Sequence, residues 1–442
     1  MNKKLIEEYD VVVVGGGFAG FGAAMGAAQS GAKTLLLEAT GVLGGLAVNG
    51  LVNPFMKFDY QGEELIKGVF GQLVDRLERE SAYYGRAFNY EAVKYNLIHM
   101  LEKAGVDILL YHQVTGVKTE ARRIKKIIAH SHGQEIELKS ELYIDCTGDG
   151  ILAKLADHPI LSGDEESGHN QAMTQMFVLD NVDFEETMRY VRNNQDDFFS
   201  WVNPHQRPGK DGTALSIAGF FKLVEKAEGE GFDLPRDHFF FIKLPGEDAV
   251  VVNTGHITVD DANDPFVISK SQIQGMKQTR ELFRFAKEYL PGFENINLRQ
   301  SASQIGIRES ARIKGEYIFK QEDVENFRKF DDAVVKAIYG VDIHKNIDEK
   351  SEKEVKLDYS NYYEIPARAL IARELDNLMM AGRNLSADFG GQSAVRIMPT
   401  CCGMGQGAGV IAALAVKEDT IPGLIPAQDF QKELKRQGVN IS

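Results

Sequence analysis

Near its amino terminus the chain changes its polarity pattern twice within a short span. Four consecutive β-branched residues, Val11–Val14, read as a strand buried on both faces, as in a parallel sheet. Gly15, Gly17 and Gly20 follow at G-x-G-x-x-G spacing, and the mostly small residues from Gly22 to Ala28 predict a helix packed closely on that strand. A second apolar run, "KTLLLE", ends in Glu38. Such glycines permit a sharp turn and close approach of a diphosphate, and the helix start offers free N–H groups and a positive dipole end. An acid at this spacing accepts from an adenosine ribose hydroxyl, so the unit predicts a dinucleotide site.

Further along, the helical patterns are 63–80 and 90–104, and "VDILLY", "QVTGVKTE", "RIKKIIAH" and "QEIELKS" read as a small antiparallel meander. The strand "ELYIDCTGDG" closes this part. From 157 to 362 short strand-like runs such as "HFFFIKL" and "AVVVNTGHI" alternate with charged helical stretches, among them 269–289. The opening style then returns in "NLMMAGRNLS", and Pro399 marks another helix start before an Ala/Val-rich run. The expected divisions are 1–156 and 363–424 for one dinucleotide-binding domain, 157–362 for an inserted substrate domain, and 425–442 for a surface helix and tail. The fold class is α/β: a Rossmann-like domain, parallel sheet plus antiparallel meander, with an α+β insertion.

Composition narrows the partners. With 442 residues, 43% hydrophobic and 26% charged, the chain has a formal net charge of −14. That balance argues against nucleic acid or an anionic membrane as the main partner and leaves a small-molecule substrate. Three cysteines make neither a disulfide framework nor a metal motif, and no metal is expected. No signal-like segment and no bilayer-spanning stretch stand out, so a reducing cytoplasm is the expected location.

Strand-to-glycine junctions recur at "VVVVGGG", "CTGDG" and "AGRNLS". An elongated cofactor touching several strand ends at one sheet edge accounts for all three, and FAD is long enough to need this. Together with "PGFENINLRQSASQIGIRESARIKGEYIFKQEDV" and "RIMPTCCGMGQGAG", the chain resembles FAD-dependent oxidoreductases of the glutathione-reductase-like superfamily, on the branch of the fumarate reductase and succinate dehydrogenase flavoproteins. The resemblance implies that Gly15, Gly17, Phe18, Ala19 and Gly20 cradle the pyrophosphate and that Glu38 holds the ribose. It places Gly44, Gly45 and Leu46 along the ribityl and flavin, Val114 at the adenine, and Thr147 and Gly148 at the ADP half. Gly382 and Arg383 would flank the pyrophosphate and ribityl, and Gly405, Gln406 and Gly407 the pyrimidine end of the flavin, where a helix start favours negative charge. Covalent members of that branch carry a histidine before the first Gly-Gly pair; "GVLGG" has none, so FAD is expected to be non-covalent.

For substrate chemistry, Arg308, Glu309 and Arg312 in "IGIRESARIKGEY" fall at helical spacing, with the two arginines on one face at i, i+4. Two cations on one face could hold a carboxylate or polarise a carbonyl, while Glu309 or His256 manages the proton. Asn53 and Arg396 are weaker candidates of the same kind. Cys401 and Cys402 are adjacent and would form only a strained ring, so they read as packed residues. The expected reaction is hydride transfer between a small polar substrate and flavin N5. The alternatives are a flavin monooxygenase and a flavin-binding subunit that relies on a redox partner protein; a homo-oligomer is compatible with each.

Overall fold

The computed structural model describes residues 8–205, 215–346, 350 and 357–441. Strand β1 (Glu8–Val14) feeds helix α1 (Phe18–Gln29), which returns to β2 (Thr34–Leu37). Strands β3 (Asp107–Leu109), β4 (Gln134–Asp145) and β5 (Leu378–Met380) complete a parallel array in the order β3-β2-β1-β4-β5. Val11–Val14 pair with Thr34–Leu37 on one side and Leu142–Asp145 on the other, and all four valines are buried. A strand covered on both faces has no polar side, which is why its sequence shows no alternation. The amino-terminal half of β4 leaves the parallel array and pairs antiparallel with Arg123–Ser131, itself paired with Gln113–Glu120.

Helix α2 (Met398–Lys417) runs through the middle of the molecule against α1. The two cross almost backbone to backbone. A Cβ at Gly22 would lie 2.1 Å from Cys402 O, and one at Gly405 would lie 2.0 Å from Ala19 O. By length and apolar composition α2 could cross a bilayer, contrary to the sequence expectation, yet 89% of its apolar window is buried inside the protein. It is a core helix.

A five-stranded antiparallel sheet lies beyond, in the order Ser216–Gly219, Phe239–Lys243, Ala249–Val252, Phe177–Asp180, Asn297–Ser301. One face packs on the helix Pro265–Tyr289 through a second core that includes Phe177, Phe220, Phe239, Phe241 and Phe285. The other face, through Met176, Val178, Ile242 and Val251, joins the core of the first unit. Residues 319–338, which the pattern groups with the insertion, return to that first core: Phe319, Val324, Val334 and Ile338 pack within it. A Cβ on Gly407 would meet Val334 at 2.7 Å.

Candidate functional site

The carboxyl ends of the parallel strands open into a groove of about 820 Å³. One end is lined by Glu38, Thr40, Tyr111, His112 and Val114, the middle by the turns at Gly15–Ala19, Gly44–Ala47, Thr147–Asp149 and Gly382–Arg383. Asn49, Ser303 and Gln304 line the wall beside Thr40, to which Asn49 Nδ2 donates at 3.3 Å, and the far end is lined by Arg396, Met398 and Cys401.

The first turn explains the glycines. Gly15 has φ +102°, and a Cβ there would sit 2.5 Å from Cys146 O; one on Gly20 would sit 1.7 Å from Gly15 O. Gly17 differs: its nearest neighbour would be Gly45 Cα at 3.9 Å, so its missing side chain leaves room in the groove itself. Gly17 is the N-cap of α1 and no side chain caps that helix, leaving its first N–H groups for an anionic guest. Glu38 is nearly buried; its Oε2 accepts from Gly16 N at 2.7 Å and its Oε1 from Thr40 N at 2.8 Å. The carboxylate thus ties the first glycine turn to the end of β2 while facing the groove.

The second junction is built by Asp145, fully buried at the end of β4. It accepts from Thr147 N (3.1 Å), Thr147 Oγ1 (2.7 Å) and Leu152 N (2.8 Å), which bends the chain back into the groove. Burial pushes its carboxyl above the ordinary value despite these bonds. Asp149 behaves oppositely. Burial pushes it up, but the Arg383 guanidinium and its hydrogen bonds outweigh this and hold its carboxyl below the ordinary value. Arg383 Nη2 donates to Asp149 Oδ1 at 2.7 Å and Nη1 to Ser310 Oγ at 3.0 Å, fixing the guanidinium in the groove wall.

Of the expected cofactor residues, Gly15, Gly17, Phe18, Ala19, Glu38, Gly44, Gly45, Leu46, Val114, Thr147, Gly148, Gly382 and Arg383 line this groove. Gly20 stands behind it, serving the turn. Gly405, Gln406 and Gly407 do not line it and correct the expected helix start: α2 begins seven residues before Gly405, at Met398, so these three lie in its interior. Gly405 faces α1, and the Gln406 side chain accepts from Val69 N at 3.0 Å and donates to Gln437 Oε1 at 3.0 Å. The groove instead receives the true start of α2, where Ile397 is an N-cap without a side-chain bond.

The catalytic candidates are also placed elsewhere. Ile305, Ile307 and Glu309 are buried in alternation and Ser310 to Ile313 without a break, so burial prevails over the helical spacing of the charges. Arg308 is in irregular extended chain and Arg312 in the short strand Ala311–Ile313, paired with Ile160–Ser162. Four residues of extended chain span about 13 Å, so the two arginines do not form a clamp. Arg308 Nη1 donates to Ala172 O at 2.6 Å. Arg312, 1% exposed, donates from Nη2 to Gly163 O at 2.5 Å, and its Nε lies 3.4 Å from Glu309 Oε1. Glu309 also accepts from Gly163 N at 3.1 Å; burial raises its carboxyl even beside Arg312. His256 lines a separate cavity with Leu234, Thr258 and Gln278, and its Nδ1 faces Arg236 Nη2 at 2.9 Å. Arg236 can only donate, so the ring proton sits on Nε2. Asn53 donates to Phe88 O at 2.9 Å and shapes a loop.

What the sequence left out is the wall beside Thr40, lined by Asn49, Ser303 and Gln304, and Asp342, which stands behind Arg396. Gln304 N donates to Asn49 O at 3.0 Å, joining two segments far apart in the chain. No local pattern announces such a contact. Asp149 was visible in "CTGDG" as the residue after the two glycine-junction positions. Cys401 lines the groove, and burial, despite Arg383 and Arg396 nearby, pushes its thiol up to about 12. It carries no thiolate at neutral pH.

The profile of the family described as FAD dependent oxidoreductase matches residues 10–434. No curated protein sequence matches the chain. Among solved structures, a geranylgeranyl bacteriochlorophyll reductase-like protein from Thermoplasma acidophilum is similar at 14% identity and TM-score 0.49, over 98% of this chain and 84% of that one. A myxobacterial chondrochloren halogenase is similar at 14% identity and TM-score 0.48, over 98% and 79%. An L-proline dehydrogenase from P. horikoshii is similar at 11% identity and TM-score 0.45, over 98% and 99%. The groove fits the family's FAD: a glycine-lined cradle and an uncapped helix start for the diphosphate, an acid at one end for a ribose, and a second uncapped helix start at the other.

Proposed function

We propose that this chain, which belongs to the FAD dependent oxidoreductase family, holds FAD non-covalently along the groove and transfers a hydride between flavin N5 and a small polar substrate. The single observation that carries this reading is the groove itself. Its middle presents the uncapped first turn of α1 beside a wall of glycines, and its far end the uncapped start of α2.

FAD supplies the two-electron acceptor and donor. The chain's part is to bind, orient and set the charge around it. Glu38, fixed by two backbone N–H groups, presents its remaining lone pairs to a ribose hydroxyl. The first-turn N–H groups of α1 donate to the diphosphate, and the charge of Arg383 stands beside it, oriented by Asp149 and Ser310. The α2 dipole favours whatever negative charge reduction places at the far end. Arg396, at that end, is the cation positioned to meet a substrate, a role the sequence pattern assigned to Arg308 and Arg312. The buried thiols of Cys401 and Cys402 are both raised by burial, which disfavours a disulfide-exchange reading.

The test has two stages. Purified protein should be yellow, and acid or heat should release intact FAD into the supernatant; flavin that stays with the precipitated chain counts against the non-covalent reading. Under anaerobic conditions, members of a panel of hydroxy acids, polyols and amines, or the reoxidising unsaturated acids, exchange electrons with the bound flavin without NAD(P)H. Bleaching that depends on NAD(P)H and is followed by oxygen insertion into the substrate would establish a monooxygenase instead.

A further inference from the structure

We propose that Arg396 is the anchor for a carboxylate on the substrate, so that the enzyme acts on small carboxylic acids carrying one such group near the oxidised or reduced carbon. The inference rests on the reading of the groove as the FAD site and names the substrate class for it.

The groove has two arginines in its wall, Arg383 and Arg396, and they are neutralised to different degrees. Arg383 is closed off by a tight pair: Nη2 to Asp149 Oδ1 at 2.7 Å, with Ser310 on Nη1. Arg396 stands at the turn between the helix Phe389–Val395 and α2, next to Ile397, the N-cap. Its Nη2 donates to the backbone oxygen of Asp342 at 3.0 Å and lies 3.5 Å from Asp342 Oδ2. That carboxylate oxygen is shared: Tyr339 donates its hydroxyl to it at 2.9 Å, and His344 Nε2 lies 3.5 Å away. One carboxylate therefore serves a guanidinium, a phenol and an imidazole. Among the described residues, Arg396 Nε is buried without a partner and Nη1 makes no hydrogen bond.

A guanidinium has five N–H donors, and one left short of acceptors in a groove wall can give the remainder to an oxygen that a guest supplies. The adjoining start of α2 lacks a side-chain cap and adds positive potential at the same place. Asp342 remains as a competing negative charge, which suits a monoanionic carboxylate better than a phosphate dianion. The carboxylate also matches the planar geometry of the guanidinium. Asp342 is the positioning residue: it fixes Nη2 and leaves Nη1 as the donor for a guest.

The experiment uses FAD-loaded protein, titrated with acetate, succinate and benzoate, and in parallel with acetamide and inorganic phosphate. Binding is read both from the change in the visible flavin spectrum and by calorimetry. At least one carboxylate is expected to bind saturably, with acetamide and phosphate silent. Arg396→Met should weaken that carboxylate by at least about tenfold, the loss of one charge-assisted contact, with Arg396→Lys intermediate. FAD content should stay at parental level in both. Carboxylate affinity unchanged in a folded, FAD-loaded Arg396→Met overturns the inference. So does a parent protein that binds none of the three acids, and so does phosphate binding more tightly than they do. A variant that loses FAD, or shifts the flavin potential while the parent binds no acid, assigns Arg396 to the cofactor and likewise overturns it. A parent that never contained FAD refutes the cofactor reading, a separate result seen before any titration.

Discussion

The two ends of the groove are built by different means. The diphosphate and ribose end is made of backbone: Gly15, Gly17 and the uncapped turn of α1, with Glu38 arriving from the next strand. These elements come from one contiguous stretch, residues 11–38. The side-chain part of the wall comes from separate segments: Asn49, Ser303 and Gln304 beside Thr40, and Arg396 held by Asp342 at the far end. Recognition by backbone needs particular residue types at fixed local spacing, so it leaves a motif. Recognition by side chains needs only that distant segments meet, so it leaves none.

The comparison can be broken most severely at the backbone end. Gly20→Val places a side chain where Gly15 O would lie 1.7 Å from its Cβ, both atoms being in the turn itself. No soluble, FAD-binding protein should be recovered, which expression followed by a flavin assay decides. A folded yellow variant would show that the turn tolerates what the geometry forbids.

Next in size is the buried pair that the sequence offered as catalytic. Arg312→Met strands Glu309, which is 0% exposed, without its cation. Removing one partner of a buried pair costs about 3–5 kcal/mol, so the urea midpoint should fall steeply. At temperatures where the variant remains folded, substrate-driven flavin bleaching should persist near the parental rate. A rate loss of a hundredfold with unaltered stability would restore Arg312 to the chemistry.

Glu38→Gln comes third. It removes the charge while keeping the shape, and its amide cannot accept from both Gly16 N and Thr40 N. FAD affinity should drop by about 1.5–3 kcal/mol by fluorescence titration, while FMN, which lacks the adenosine ribose, should bind as before. Equal losses for both flavins would detach Glu38 from the ribose.

The smallest effect lies at the side-chain end and depends on pH. Burial raises Asp342, but His344 and Arg396 overcome it and hold its carboxyl well below its ordinary 3.8. A carboxyl depressed in the folded state contributes stability that is present above the unfolded value and lost as pH falls through the folded one. The stability gap between the parent and Asp342→Asn should thus be full at neutral pH and narrow below about pH 4. Denaturant midpoints across that range measure it. A gap that widens on acidification would show that the cations do not face Asp342.

The sequence by itself determined the cofactor end. Valines without alternation, glycines at G-x-G-x-x-G spacing and a terminal acid specify a buried strand, a tight turn and a ribose partner through local backbone sterics alone. It also marked Arg383 and the "CTGDG" junction, because strand ends followed by glycine are local events too. Tertiary structure decided the rest. Gly405–Gly407 carry the same small-residue signature as a ligand loop, yet Gly405 serves the close crossing of α1 and α2 and Gly407 packs on Val334, since a Cβ-free helix face suits a protein neighbour as well as a cofactor. Arg308 and Arg312 have helical spacing but stand in non-helical chain, because burying Ile305, Ile307, Ala311 and Ile313 contributes more than a helical charge pair can. Arg396 and Asp342 stand 54 positions apart in the chain and 3.0 Å apart across one hydrogen bond. Only a folded core brings them together, because a contact between distant side chains has no period and no spacing to be read.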